Sequence, residues 1–70
     1  MTIQDAYKKS INLLQKDFII NPVLDARLLI SNVLNINYKD FILNKKIRII
    51  SIEILEIILR FIQNIKKIVV

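Results

Sequence analysis

Seventy residues with no cysteine, histidine or glycine restrict this chain to one small domain with a narrow range of chemistry. The composition excludes disulfide bonds, thiolate nucleophiles, histidine bases and the glycine-rich loops that cradle phosphates. Because 54% of the residues are hydrophobic, the chain has the apolar content that a small core requires, and its formal net charge of +5 raises the question of an anionic partner.

The first predicted helix covers about residues 3–16 and is amphipathic. Thr2 is a suitable N-cap residue, and Asp5 three positions later completes a variant of the capping box. One broad face carries apolar or small side chains and the opposite face is polar. The face predicted to be buried consists of Ile3, Ala6, Tyr7, Ser10, Ile11, Leu13 and Leu14. The segment 17–20 is predicted to link this helix to the next.

The second predicted helix, residues 22–34, is apolar around most of its circumference. Asn21 is a favourable N-cap, Pro22 suits the first helical position, and Asp25 suits the positive end of the helix dipole. Two apolar strips indicate a central helix with neighbours on at least two sides. The wide strip comprises Val23, Ala26, Leu29, Ile30, Val33 and Leu34, and the second comprises Leu24 and Leu28. Leu29 is expected in the core.

A short third helix is predicted over residues 38–44, with Asn37 as its N-cap. The expected inward side chains are Tyr38, Phe41 and Ile42, and the expected outward ones are Lys39 and Asp40. The next segment, residues 45–50, is predicted to be a connector, although the alternation of polar and apolar residues through residues 47–54 also fits a β-strand.

The fourth predicted helix runs from residue 52 to about residue 67, because Ser51 can cap it and Glu53 falls in its first turn. A single polar stripe follows this helix, and all its other residues are apolar. The stripe comprises Glu53, Glu56, Arg60, Gln63, Asn64 and Lys67. The apolar arc is wider than a small bundle needs, and the chain ends in an apolar run, so the bundle is expected to continue into another structure.

Together these elements predict an all-α fold, a small bundle of four to five helices that forms a single domain over residues 1–70. Charged residues interrupt every long apolar run, so no transmembrane span is predicted. The polar N-terminal segment does not match a signal peptide, which favours the cytoplasm as the site of action.

Catalysis by this chain alone is not predicted. None of its six acidic residues forms a pair with an obvious division of acid and base roles. Glu53 and Glu56 are interpreted as part of a solvated helix stripe. The sequence therefore predicts no catalytic, cofactor-binding or metal-ligating residue.

The residues alone are compatible with two non-enzymatic functions, which stay open as alternatives. One is a free-standing helical protein-interaction module, and the other is a small basic nucleic-acid-binding domain. Basic clusters at Lys45, Lys46 and Arg48 and at Lys66 and Lys67 motivate the second. However, a helix-turn-helix needs a polar, base-reading second helix, and the second helix here is apolar. The frequent isoleucine, asparagine and lysine also indicate AT-rich codon usage, which reduces the weight of the positive charge. Nucleic-acid binding is therefore not favoured.

The order and spacing of the elements resemble the N-terminal domain of PrmC/HemK-type peptide release factor glutamine methyltransferases. Three pairs of residues stand at matching positions, followed by the aromatic-led segment "YKDFIL" and a serine-capped helix with a basic end. The pairs are Asn21-Pro22, Asp25-Ala26 and Leu28-Leu29, and the basic end is Lys66-Lys67. Arg27 replaces the glutamate usual in the family, and the family's Gly-Glu-Pro element has either diverged or lies beyond Val70.

The resemblance implies methylation of the glutamine side-chain nitrogen (N5) in the Gly-Gly-Gln motif of class-I peptide release factors. It further implies that S-adenosylmethionine is bound by a catalytic domain that follows residue 70 and is absent here. Residues 1–70 would then be the substrate-recognition domain, with the release factor and the C-terminal catalytic domain as its partners. No catalytic residue is carried over to this chain.

Overall fold

A computed structural model describes residues 1–16 and 20–69 of the chain, and it describes side chains for residues 1–16 and 20–65. Within these ranges the chain forms four α-helices and no named strand. They are α1 (Ile3–Gln15), α2 (Pro22–Leu34), α3 (Tyr38–Asn44) and α4 (Ile52–Val69). The all-α prediction is confirmed. The predicted bounds of α2 and α3 agree with these, α1 ends one residue earlier, and α4 extends two residues further. Most of the predicted linker, residues 17–19, lies outside the described residues.

The capping box predicted at the start of α1 is present. The Thr2 N–H donates to Asp5 Oδ2 at 2.9 Å, and the Asp5 N–H donates to Thr2 Oγ1 at 3.2 Å. The pKa of the Asp5 carboxyl lies below its ordinary value, chiefly because the carboxylate accepts this hydrogen bond from the Thr2 backbone. Two of the amides that a helix start leaves without helical partners are thereby paired.

The two amides between those of Thr2 and Asp5 are paired by the connector, residues 45–51. The Ile3 N–H donates to the Arg48 carbonyl at 3.0 Å, and the Gln4 N–H donates to the Lys45 carbonyl at 2.7 Å. Lys45 is also the C-cap residue of α3. The positive end of α1 therefore meets the negative end of α3, which is a favourable arrangement of helix dipoles.

The connector is extended at one point only. Thr2 and Ile49 form an isolated antiparallel β-bridge, and the Ile50 N–H donates to the Met1 carbonyl at 2.9 Å. The sequence also allowed a β-strand in this segment. Within the described part of the chain, the segment forms a single β-bridge and no strand. Ile50 is buried and Ile49 is exposed, so the bridge determines which of these isoleucines enters the core.

The other three helices begin as their sequences predict. In each case the N-cap side-chain oxygen accepts the amide N–H of the residue three positions later: Asn21 from Leu24 at 3.2 Å, Asn37 from Asp40 at 2.8 Å and Ser51 from Ile54 at 3.3 Å. α2 ends at Leu34, and its C-cap residue Asn35 has a left-handed φ of 56°, a conformation that asparagine tolerates better than most residues do. A short turn then leads into α3.

As predicted, α2 is the central helix, because it packs against α1, α3 and α4. The core receives apolar side chains from all four helices and from the connector. These side chains are Ile3, Ala6, Leu14, Ala26, Ile30, Phe41, Ile50, Leu55, Ile58 and Ile62. Ser10 is also fully buried, and its hydroxyl donates to the Ala6 carbonyl at 2.7 Å, which satisfies the one buried polar side chain of the described core.

An aromatic pair joins α1, α2 and α3. The rings of Tyr7 and Phe41 meet edge to face, with centroids 5.2 Å apart and an interplanar angle of 84°. The Tyr7 hydroxyl also donates to the Val23 carbonyl at 3.4 Å. Because Phe41 is almost completely buried, this contact anchors the short helix α3.

Two predicted inward side chains of α3 point outward instead. Tyr38 is 57% exposed and Ile42 is 42% exposed. The helix has only seven residues, and Phe41 is its one buried side chain. Tyr38 instead lies under the Arg27 guanidinium, whose central carbon is 4.3 Å from the ring centroid, a cation–π contact at the surface.

The predicted core position of Leu29 is also wrong. Leu29 is half-buried, and Leu28 on the second apolar strip is 49% exposed. Helices α1 and α4 cover the face of α2 that carries Ala26 and Ile30, which are fully buried. Among the described residues, the rest of the apolar surface of α2 is covered only in part.

We expect Ile30→Ala to destabilise the domain by about 2–5 kcal/mol, because it removes a fully buried side chain and leaves a cavity. Leu29→Ala should cost clearly less, and Lys8→Ala on the exposed face of α1 should stay within about 0.5 kcal/mol. Urea unfolding of the three variants would measure the order. Equal losses for Ile30 and Leu29 would contradict the burial described above.

The capping box predicts a pH dependence. Since the pKa of Asp5 is lowered in the fold, its contribution to stability is complete above the ordinary pKa of aspartate, about 4, and is lost as the pH falls through the lower folded value. The difference in melting temperature between the wild type and Asp5→Asn should therefore shrink on acidification. A difference that stays constant down to the most acidic pH at which the domain folds would contradict this role.

Candidate functional site

Acidic side chains do not form a reaction centre in the described part of the chain. Asp5 is engaged in the capping box, and Glu53 and Glu56 are exposed on α4, as the stripe predicts. Within that part, no group of three or more potential ligands is placed to hold a metal ion. None of the described helices has both the length and the apolar content needed to cross a bilayer. The described surface offers two functional candidates, a basic cluster and an apolar groove.

The basic cluster of the connector is accessible. Lys46 and Arg48 are exposed, and Lys45 is half-buried where its carbonyl accepts the Gln4 amide. The residues of the other predicted cluster, 66 and 67, belong to α4, but their side chains are outside the described part of the chain. The connector cluster follows directly after the end of α3 and precedes α4.

A groove of about 440 Å³ lies between α2 and α4. We call it the α2–α4 groove. It is lined by one polar side chain and four apolar ones, namely Asn32 with Leu29, Val33, Ile57 and Phe61. The groove is open to solvent, because Ile57 is 41% exposed and Phe61 is 47% exposed. Such a surface suits the apolar side chains of a protein partner.

Helix α4 forms this groove because its apolar arc is wider than its contact with the rest of the bundle. Leu55, Ile58 and Ile62 face the core, while Ile57 and Phe61 lie about a quarter turn away and receive no covering element among the described residues. The wide apolar arc predicted from the sequence is therefore the origin of the groove.

The flank of the groove is polar. Arg60 and Asn64 on α4 are exposed, and helical spacing places them beside Ile57 and Phe61. Asn32 adds an amide from α2 inside the groove. An apolar floor with polar groups at its edge resembles the general anatomy of protein–protein interfaces.

Sequence reasoning did not identify the groove residues as a surface. Leu29 and Val33 were assigned to the apolar arc of the central helix, and Ile57 and Phe61 to that of the last helix. The available signal was the excess of apolar positions over those that a four-helix bundle of this size can bury. Which positions remain uncovered depends on how α2 and α4 cross.

No family model, curated protein or solved structure matches this chain.

The neighbouring residues Phe61 and Ile62 provide a matched test of the groove. Ile62→Ala should cost about 2–5 kcal/mol because Ile62 is fully buried. Phe61→Ala should cost about 1 kcal/mol, since about half of its ring surface already faces water. Chemical denaturation of both variants is the measurement, and a larger loss for Phe61 would show that the groove belongs to the core.

Proposed function

We propose that residues 1–70 form the substrate-recognition domain of a protein-glutamine N5-methyltransferase, and that its substrate is the Gly-Gly-Gln motif of class-I peptide release factors. The family pattern of Asn21-Pro22, Asp25-Ala26 and Leu28-Leu29 supports the enzyme class. The exposed apolar groove between α2 and α4 is the observation that supports the recognition role. Helix α2, which carries the three residue pairs, forms one wall of this groove.

In this proposal the domain contributes binding and the missing domain contributes chemistry. S-adenosylmethionine would be the cofactor of the catalytic domain that follows residue 70. A cofactor site of the Rossmann type requires glycines that let the backbone approach the ligand, and this chain has no glycine. We place the action of the enzyme in the cytoplasm.

Contacts made far from the reacting glutamine can still increase the rate. Binding energy at the α2–α4 groove would hold the release factor so that its Gly-Gly-Gln loop reaches the catalytic domain in a productive orientation. Leu29, Val33, Ile57 and Phe61 offer the apolar contacts, and Asn32 offers a hydrogen-bonding amide. The methyl transfer itself requires nothing from these residues.

A free-standing helical protein-interaction module is the second candidate function, because the same groove would serve it. The coding sequence downstream of residue 70 separates the two. A methyltransferase domain in the same reading frame supports the recognition domain, whereas a stop codon at that point supports the free-standing module.

The proposal is tested by substitutions in the groove of the full-length enzyme. Ile57→Ser with Phe61→Ser should lower kcat/KM on intact release factor by about tenfold or more, equivalent to roughly 1.4 kcal/mol of lost transition-state binding. Activity on a short Gly-Gly-Gln peptide should be unchanged, because that peptide cannot reach the groove. Methylation assays with both substrates measure the ratio.

Lys8→Ser with Lys9→Ser is the matched control, since both lysines are exposed on α1 away from the groove residues. It should leave both activities unchanged. If the groove variant slows both substrates equally, the domain supports the fold of its neighbour and the recognition role is wrong. Calorimetric binding of S-adenosylmethionine to residues 1–70 alone would overturn the proposed division of labour.

A further inference from the structure

A second exposed apolar surface lies on the connector, and we call it the connector patch. It consists of Ile47, Ile49 and Ile52, which are 71%, 68% and 67% exposed, together with the exposed cations Lys46, just before Ile47, and Arg48, between Ile47 and Ile49. Isoleucine side chains exposed to this extent lose most of the stabilisation that burial provides. Three of them in one short segment, with two cations beside them, indicate a surface that gains by being covered.

The backbone of the connector patch is also available. The Thr2–Ile49 bridge is a non-hydrogen-bonded pair, because the two N–H···O bonds join the residues on either side of it. In such a pair the N–H and C=O of each residue point away from the other strand. The Ile49 N–H and C=O therefore point away from residues 1–3, and within residues 1–16 and 20–69 neither is bonded to another backbone group.

We propose that the connector patch binds an extended protein segment with alternating acidic and apolar side chains, which pairs with Ile49 as an added β-strand. Strand addition to an exposed edge is a general mode of peptide recognition, with backbone hydrogen bonds giving affinity and alternate side chains giving specificity. One residue of the partner exchanges both backbone hydrogen bonds with Ile49. This inference does not depend on the proposed function.

The alternation follows from the pleat of a strand. Side chains of successive residues point to opposite faces, so the partner residue paired with Ile49 lies beside the isoleucine side chain and is apolar. Its two neighbours point to the other face, and the neighbour opposite Arg48 places a carboxylate against the exposed guanidinium. Lys46 extends the positive charge toward the end of the bound segment.

A protein segment fits the connector patch better than an anionic membrane. Insertion into lipid would place the Ile49 N–H and C=O in a medium that offers no hydrogen-bond partner, whereas an added strand supplies both partners. Glu53, exposed next to Ile52, would also face the negative headgroups. Nucleic-acid phosphates would pair with the two cations but would leave the isoleucines in water.

The test uses residues 1–70 and a short peptide of alternating glutamate and valine, blocked at both ends. NMR titration should show chemical-shift changes centred on residues 46–52, and the Ile49 amide should become protected from hydrogen exchange. The same peptide with an N-methyl group on its central valine should bind at least about tenfold more weakly, because it has lost a backbone donor. Absence of binding, or an Ile49 amide that stays unprotected, overturns the proposal.

Charge reversal separates local recognition from net charge. Lys46→Glu with Arg48→Glu should weaken peptide binding by at least about tenfold, whereas Lys8→Glu with Lys9→Glu changes the net charge equally and should leave the affinity within about twofold. All four residues are exposed, and thermal melts should match the wild type. Equal weakening by both pairs overturns the proposal, as does binding to phosphatidylserine vesicles without binding to the peptide.

Discussion

The docking of the α1 N-terminus on the connector is the interaction on which the rest of this fold depends. Two amides of the first turn, those of Ile3 and Gln4, donate to connector carbonyls, while the capping box pairs the other two. These bonds join segments more than forty positions apart in the chain. They bring the end of α3 and the start of α4 against α1, so that Ile50 enters the core and the α4 arc can close over α1 and α2.

The size of the domain explains why so much apolar surface remains outside. A chain of 70 residues buries about 60% of the surface that its unfolded form exposes, and this chain is 54% hydrophobic. Among the described residues, five of the twelve large hydrophobic side chains that are exposed lie in the α2–α4 groove or in the connector patch. The groove offers side chains alone, whereas the connector patch also offers charge and an open backbone edge. The two surfaces therefore suit partners of different chemistry.

Much of the fold could be predicted because the decisive signals are local. Thr2, Asn21, Asn37 and Ser51 each bond an amide three residues away, so their roles depend only on adjacent sequence. The candidate surfaces could be predicted only in part. The wide apolar arc of α4 indicated an uncovered face, but whether Ile57 or Ile58 lies on it depends on the crossing of α2 and α4.

The sequence by itself determined the all-α class, the helix starts and the central position of α2, because capping and helical periodicity act within one or two turns. Tertiary structure alone decided that Leu29 and Tyr38 stay exposed in part and that Ile49 faces outward while Ile50 is buried. Burial depends on which neighbour covers a residue, and that neighbour is set by distant contacts such as the bond from Ile3 to Arg48. The local pattern carries no information about such contacts, because the sequence of the connector fits an inward Ile49 as well as an inward Ile50.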